Sequence, residues 1–137
     1  SCNFTLPDYT GLGSASDNCG GTPTITQLPV SGTVISGTTT VTLTADDGNG
    51  NTSICTFDVV LNDAAAPTAV CQNVTIFLDG AGAASIVAAD LDGGSTDNCA
   101  GITFSASQTA FTCADLGTNN VTLTVTDGNS NASTCAA

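Results

Sequence analysis

Aspartate and cysteine carry nearly all the chemistry open to this chain, because lysine, arginine and histidine are absent from its 137 residues. Twelve acidic residues, all aspartate, give a formal net charge of −12, and no side chain of opposite sign exists to pair with them. As an active site this inventory fails. A serine or cysteine nucleophile needs a neighbouring base or cation, and none of the usual groups is present. Two aspartates can in principle do acid–base work, but Asp46 and Asp47 are adjacent, and adjacent residues of a strand point to opposite faces. We expect no enzyme. Phosphate backbones and anionic headgroups are repelled by so acidic a surface, which argues against nucleic-acid partners and against direct membrane insertion or binding. Cations suit it better, and calcium, which takes roughly six to eight oxygens, fits Asp carboxylates, Asn amides and loop carbonyls. Candidate ligands are Asp46, Asp47, Asn49 and Asn51 in one turn, Asp63, and the group Asp90, Asp92 and Asp97. The EF-hand spacing is absent. A plainer reading of Asp17, Asp47, Asp97 and Asp127 is that each bonds the backbone of its own turn.

Seven cysteines in so short a chain need a second explanation. The C-x2-C spacing of zinc sites does not occur and there is no histidine, so an oxidised, extracellular disulfide framework is the economical reading. The chain shows neither a signal peptide nor an apolar run of membrane length.

Positioning these residues falls to a sequence that repeats itself. Asp17-Asn18-Cys19 recurs as Asp97-Asn98-Cys99, Val41-Thr42-Leu43-Thr44 as Val121-Thr122-Leu123-Thr124, Asp47-Gly48-Asn49 as Asp127-Gly128-Asn129, and Cys55 as Cys135, each pair 80 positions apart. A constant offset predicts two copies with one loop plan, part of a tandem array. In Thr39 to Ala45 the residues Val41, Leu43 and Ala45 alternate with threonines, the signature of a half-buried strand. Asp46 to Asn51 is dense in turn formers, and Thr52 to Leu61 returns as a second strand. The second copy of this hairpin runs from Asn120 to Thr126 and returns at Ala132. Further strands are expected at Asn3–Leu6, Thr24–Leu28, Thr33–Ile35, Asn73–Leu78, Ala84–Val87, Ile102–Ala106 and Thr109–Thr112. No helical periodicity competes. Many short strands with closely spaced turns predict tandem all-β sandwiches of immunoglobulin-like type, stapled by disulfides. The linker Asn62-Asp63-Ala64-Ala65-Ala66-Pro67 places the domains at 1–63 and 64–137. The first copy lacks a counterpart of Thr68 to Ile76, hence its first strand, and the second lacks the end of its last strand.

Ala66-Pro67-Thr68-Ala69-Val70-Cys71, then Asp97-Asn98-Cys99, then Gly117 through Asn129 and Cys135 resemble the hyalin repeat (HYR) domain, and the first copy matches through Asp17-Asn18-Cys19, Gly37 through Asn49 and Cys55. The resemblance covers nearly the whole chain. It implies an immunoglobulin-like fold used as an extracellular adhesion module, often in the long arrays of bacterial surface adhesins. Family members normally contain Lys, Arg and aromatic residues that are absent or scarce here.

The expectation is therefore a non-enzymatic structural repeat of an extracellular filament or giant cell-surface adhesin. Its partners would be neighbouring repeats or identical subunits, with surface glycans as a further class. The competing readings are a carbohydrate- or ice-binding module and an accessory domain of a secreted enzyme. Outward rows such as Thr40, Thr42 and Thr44 invite the ice reading, but a twisted sheet spoils a flat lattice match. Expected disulfides are Cys71 to Cys135, Cys99 to Cys113 and Cys2 to Cys19. Cys55, whose counterpart is Cys135, is left to pair with a residue outside the chain.

Overall fold

Alternation of apolar residues with threonine builds the long ladders of the computed structural model, which describes residues 2–137. The chain divides into two units, Ser1–Asn62 and Asp63–Ala137, and in both every strand pairing is antiparallel.

In the first unit the strands are β1 (Phe4–Thr5), β2 (Thr24–Leu28), β3 (Val34–Ile35), β4 (Thr39–Asp46) and β5 (Thr52–Val59). One sheet has the order β2-β4-β5, and β1 pairs with β3 in a second. Strand β4 is paired along both edges, with Leu43 opposite Gln27 on one side and Cys55 on the other. Its inward residues Val41 and Leu43 form a core with Leu6 and Ile35, against which Tyr9, Ile25, Phe57, Val59 and Leu61 pack. The rings of Tyr9 and Phe57 meet edge to face, 5.1 Å between centroids. Gln27 is buried and fully satisfied: its Oε1 accepts from the Tyr9 amide at 2.7 Å, and its Nε2 donates to the Pro7 and Pro29 carbonyls at 3.1 and 3.0 Å. One polar side chain thus fastens an irregular loop to β2 without an unmet polar group.

The second unit contains β6 (Ala83–Ser85), β7 (Thr103–Ala106), β8 (Ala110–Thr112), β9 (Thr122–Thr126) and β10 (Ala132–Ala136). The order β7-β9-β10 repeats β2-β4-β5, and the pair β6-β8 repeats β1-β3. Its core is larger: Ile86, Leu91, Phe111, Val121, Leu123 and Val125 are buried together, and Ala69, Cys71 and Cys135 pack against them.

Both hairpin turns are built the same way. The Asp47 amide donates to the Asn51 carbonyl and the Asp127 amide to that of Asn131, while each aspartate's Oδ1 accepts from the amides two and four residues on. Gly50 takes φ +95° in the first turn, and Ser130 takes φ +70° at the same position of the second, an uncommon conformation for a residue with a Cβ.

Three expectations need correction. The copies share ladders and the hairpin turn but not every loop: Leu43 opposite Cys55 and Leu123 opposite Cys135 keep the offset of 80, whereas Ile25 matches Phe104 at 79 and Ile35 matches Phe111 at 76. The additional residues between Phe111 and Val121 form a 3-10 turn, Cys113–Asp115, capped by Thr112 and Asp115. Asn73–Leu78 is not a strand; alternation makes a strand only where a neighbour takes its backbone bonds, and here Val74, Ile76 and Phe77 are exposed instead. Asp63 belongs with the second unit, because its carbonyl accepts from Asn131 Nδ2 at 3.0 Å and its carboxylate from Asn98 Nδ2 at 3.4 Å.

Candidate functional site

Along the edge of the second unit an extended segment, Pro67 to Cys71, lies in a built seat. Thr68 and Thr96 exchange amide-to-carbonyl bonds of 2.7 and 3.1 Å, and the Gly93 amide donates to the Val70 carbonyl at 2.8 Å. The Val70 amide donates to Ser95 Oγ at 3.0 Å, and Ser133 Oγ donates to the Pro67 carbonyl at 2.6 Å. The backbones approach so closely that a Cβ on Gly93 would stand 2.9 Å from the Cys71 carbonyl oxygen. A disulfide from Cys71 to Cys135 on β10 locks the segment, with the two Cα atoms 5.7 Å apart.

At one end of this seat three aspartates converge. Carboxylate oxygens of Asp63, Asp97 and Asp127 lie within 4.8 Å of one another. Asp127 is 7% exposed, and Oδ1 of Asp97 is buried with no hydrogen-bond donor among the described residues. Burial pushes the Asp127 carboxyl up, but hydrogen bonds from the Asn131 side chain and from the Asn131, Asn129 and Ser130 amides outweigh it and hold the group below the usual carboxylate range. At neutral pH the chain supplies no cation to offset this charge, and hard oxygens in that density suit a divalent ion.

The structure brings together Asp63 and Asp97 of the expected calcium ligands, and adds Asp127, which the sequence places only in its turn. The remaining candidates serve local backbone. Asp46 Oδ1 accepts from the Gly48 amide at 2.7 Å, Asp90 Oδ2 from the Val87 amide at 2.9 Å, and Asp92 Oδ1 from the Ser95 amide at 2.8 Å. In the first turn the side chain of Asn51 and the Asn49 amide hold the Asp47 carboxyl below its ordinary range. None of Asp46, Asp47, Asp90 or Asp92 enters a cluster of three such ligands among the described residues, and Asn49 uses its amide to close the turn.

Among the cysteines Cys71 and Cys135 are joined, and Cys2 and Cys99 are each disulfide-bonded. Cys19, Cys55 and Cys113 are free and exposed, so the pairs Cys2 to Cys19 and Cys99 to Cys113 do not form. Cys113 stands in the inserted 3-10 turn, its Sγ 3.8 Å from the Gly82 carbonyl, on the path that leads into the start of β9. Cys99 precedes β7, whose first residue pairs with Thr126 at the end of β9. Cys99 and Cys113 therefore lie toward opposite ends of β9, and separation of 14 positions in sequence misleads. No helix among the described residues is long and apolar enough to cross a membrane. No protein-family model, curated protein or solved structure matches the chain.

Proposed function

We propose that this chain is a pair of structural repeats from an extracellular filament or giant surface adhesin, each repeat an immunoglobulin-like sandwich of the hyalin-repeat kind. The observation that carries the reading is the recurrence of one ladder plan, β2-β4-β5 as β7-β9-β10, on a chain whose side chains offer no nucleophile with a base. Disulfide bonding and side-chain charge of negative sign alone suit an oxidising, solvent-filled location. Antibodies raised against the chain and used for gold labelling of intact source cells should decorate extended surface structures at regular intervals. Label confined to a secreted enzyme's fraction would replace this reading with the accessory-domain one.

Calcium at Asp63, Asp97 and Asp127 belongs to the same proposal, as a neutralising clamp between the segment before Pro67 and two turns. Millimolar calcium should then raise the unfolding midpoint of the full chain by about 5 °C over a sodium control of equal ionic strength. Asp127→Asn should abolish most of that difference. Equal midpoints with calcium and with sodium would remove the clamp.

A further inference from the structure

The first unit has the same seat without its strand. A cavity of about 400 Å³ opens beside β5, floored by Leu43 and Ala45, walled by Gly13 and Ser16, and edged by Ser53 and Cys55. Every one of these residues stands 80 positions before a residue that touches or borders the Pro67–Cys71 segment: Leu123, Val125, Gly93, Thr96, Ser133 and Cys135. Burial registers the difference. Val125 and Asp127 are buried in the second unit, whereas Ala45 and Asp47 are only half-buried in the first, and Cys55 is exposed where Cys135 is half-buried.

Gly13 sharpens the comparison. Its φ of −77° asks nothing special of the residue, and the nearest atom to a Cβ there is Ile25 Cδ1 at 3.1 Å. At Gly93 a glycine is needed because the strand's backbone lies against it. Gly13 thus leaves room for a backbone that the other unit shows in place. The Gly13 and Ser16 backbones, Ser53 Oγ and the Cys55 thiol stand at the positions that pair with the strand in the second unit. Ala15 replaces Ser95, so the two hydrogen bonds that Ser95 Oγ makes with the Val70 amide and carbonyl have no counterpart.

We propose that this groove receives an extended segment of the Pro-Thr-Ala-Val-Cys type from a further repeat and closes on it with a disulfide to Cys55. A second copy of this chain is not the donor, since its own Pro67–Cys71 segment is already bonded in place. The occupant that fits is a strand of the Pro67–Cys71 type from outside residues 1–137, and this holds whether or not the array lies on a cell surface. Backbone ladder bonds give such strand addition its affinity, and side-chain pockets give it register. In an oxidising compartment the two thiols lose two electrons and two protons to a low-molecular-weight disulfide, which is reduced to two thiols as the Cys55 bond forms.

The test adds a peptide with the sequence of residues 65–73, Ala-Ala-Pro-Thr-Ala-Val-Cys-Gln-Asn, to the oxidised full chain, its cysteine activated as a 2-thiopyridyl mixed disulfide. The Cys55 thiolate attacks the peptide sulfur, forms the new S–S bond and expels pyridine-2-thione, so no other oxidant is needed. Peptide mapping reads the rate at each free thiol, with Cys19 and Cys113 as internal controls in the same molecule. Docking should make Cys55 react about tenfold faster than either control, through the raised effective concentration of the bound peptide. Replacing by aspartate the peptide's alanine that stands for Ala69, which packs against the core in the second unit, should erase the advantage. Equal rates at the three thiols, or equal rates at Cys55 with both peptides, would overturn the proposal.

Discussion

Replacing Cys71 and Cys135 together by alanine is expected to take about 4 kcal/mol from the stability of the second unit. The bond joins residues 64 positions apart, so it closes a loop that includes most of the unit, and the entropy it removes from the unfolded chain is correspondingly large. On the native side the two cysteines pack against the core of Leu91, Leu123 and Val125, so their truncation also costs contacts. Few other reserves exist. Without lysine, arginine or histidine the unit has no side-chain ion pairs, and a domain of this size starts with only roughly 5–10 kcal/mol. Hydrogen exchange provides the measurement, because each unit reports separately: the amides of β9 should lose protection by orders of magnitude while those of β4 stay as they were. Unchanged exchange in β9 would mean that the hydrogen bonds of Thr68, Val70 and Ser133 hold the edge segment without the covalent lock. The chain also lacks sites for trypsin, so the same loss can be read with subtilisin, which should cut the alanine variant first within 63–137.

The parts of the fold legible in the sequence are those that depend on near neighbours. Alternation at Val41, Leu43 and Ala45 marks β4, Thr24–Leu28 coincides with β2 residue for residue, and the Asp-Gly-Asn runs mark the hairpin turns because their side chains bond the adjacent backbone. The pairing of strands distant in sequence leaves no such local trace. Asn73–Leu78 has the pattern of a strand and no partner, while Thr68 to Cys71, too short to show any period, is held by bridges to Thr96 and Asp92. The same reason explains the sites. Asp97 and Asp127 both announce themselves as turn residues, and only the folding of two turns beside Asp63 makes a cluster of them. The repeat was the one long-range signal in the sequence. It makes Cys135 the counterpart of Cys55, and the two do lie opposite the matching residues Leu123 and Leu43, yet it misleads wherever the loops differ, as at Cys113 in an insertion that the first copy lacks.

A matched pair of truncations weighs the two cores against each other. Leu123→Ala should cost about 3–4 kcal/mol, in the middle of the range for buried leucines, whereas Leu43→Ala at the corresponding position should cost roughly 1–2 kcal/mol less. Both residues sit in the central strand with a cysteine opposite, so strand propensity and register are the same. Their surroundings differ. Leu123 is 0% exposed and enclosed by Ile86, Leu91, Phe111, Val121 and Val125, with Ala69 and the Cys71 to Cys135 bond over it. Cutting it back leaves a sealed apolar void whose lining loses contacts outright. Leu43 is 5% exposed and already borders the cavity beside β5, so its truncation enlarges a space open to water and adds little to the cavity term. Denaturant midpoints taken by hydrogen exchange in β4 and β9 give the two values from single variants of the full chain. Equal costs would mean that the first unit's edge closes over Leu43 in solution as tightly as Pro67–Cys71 closes over Leu123. In that event no groove remains beside Cys55 for a strand to enter.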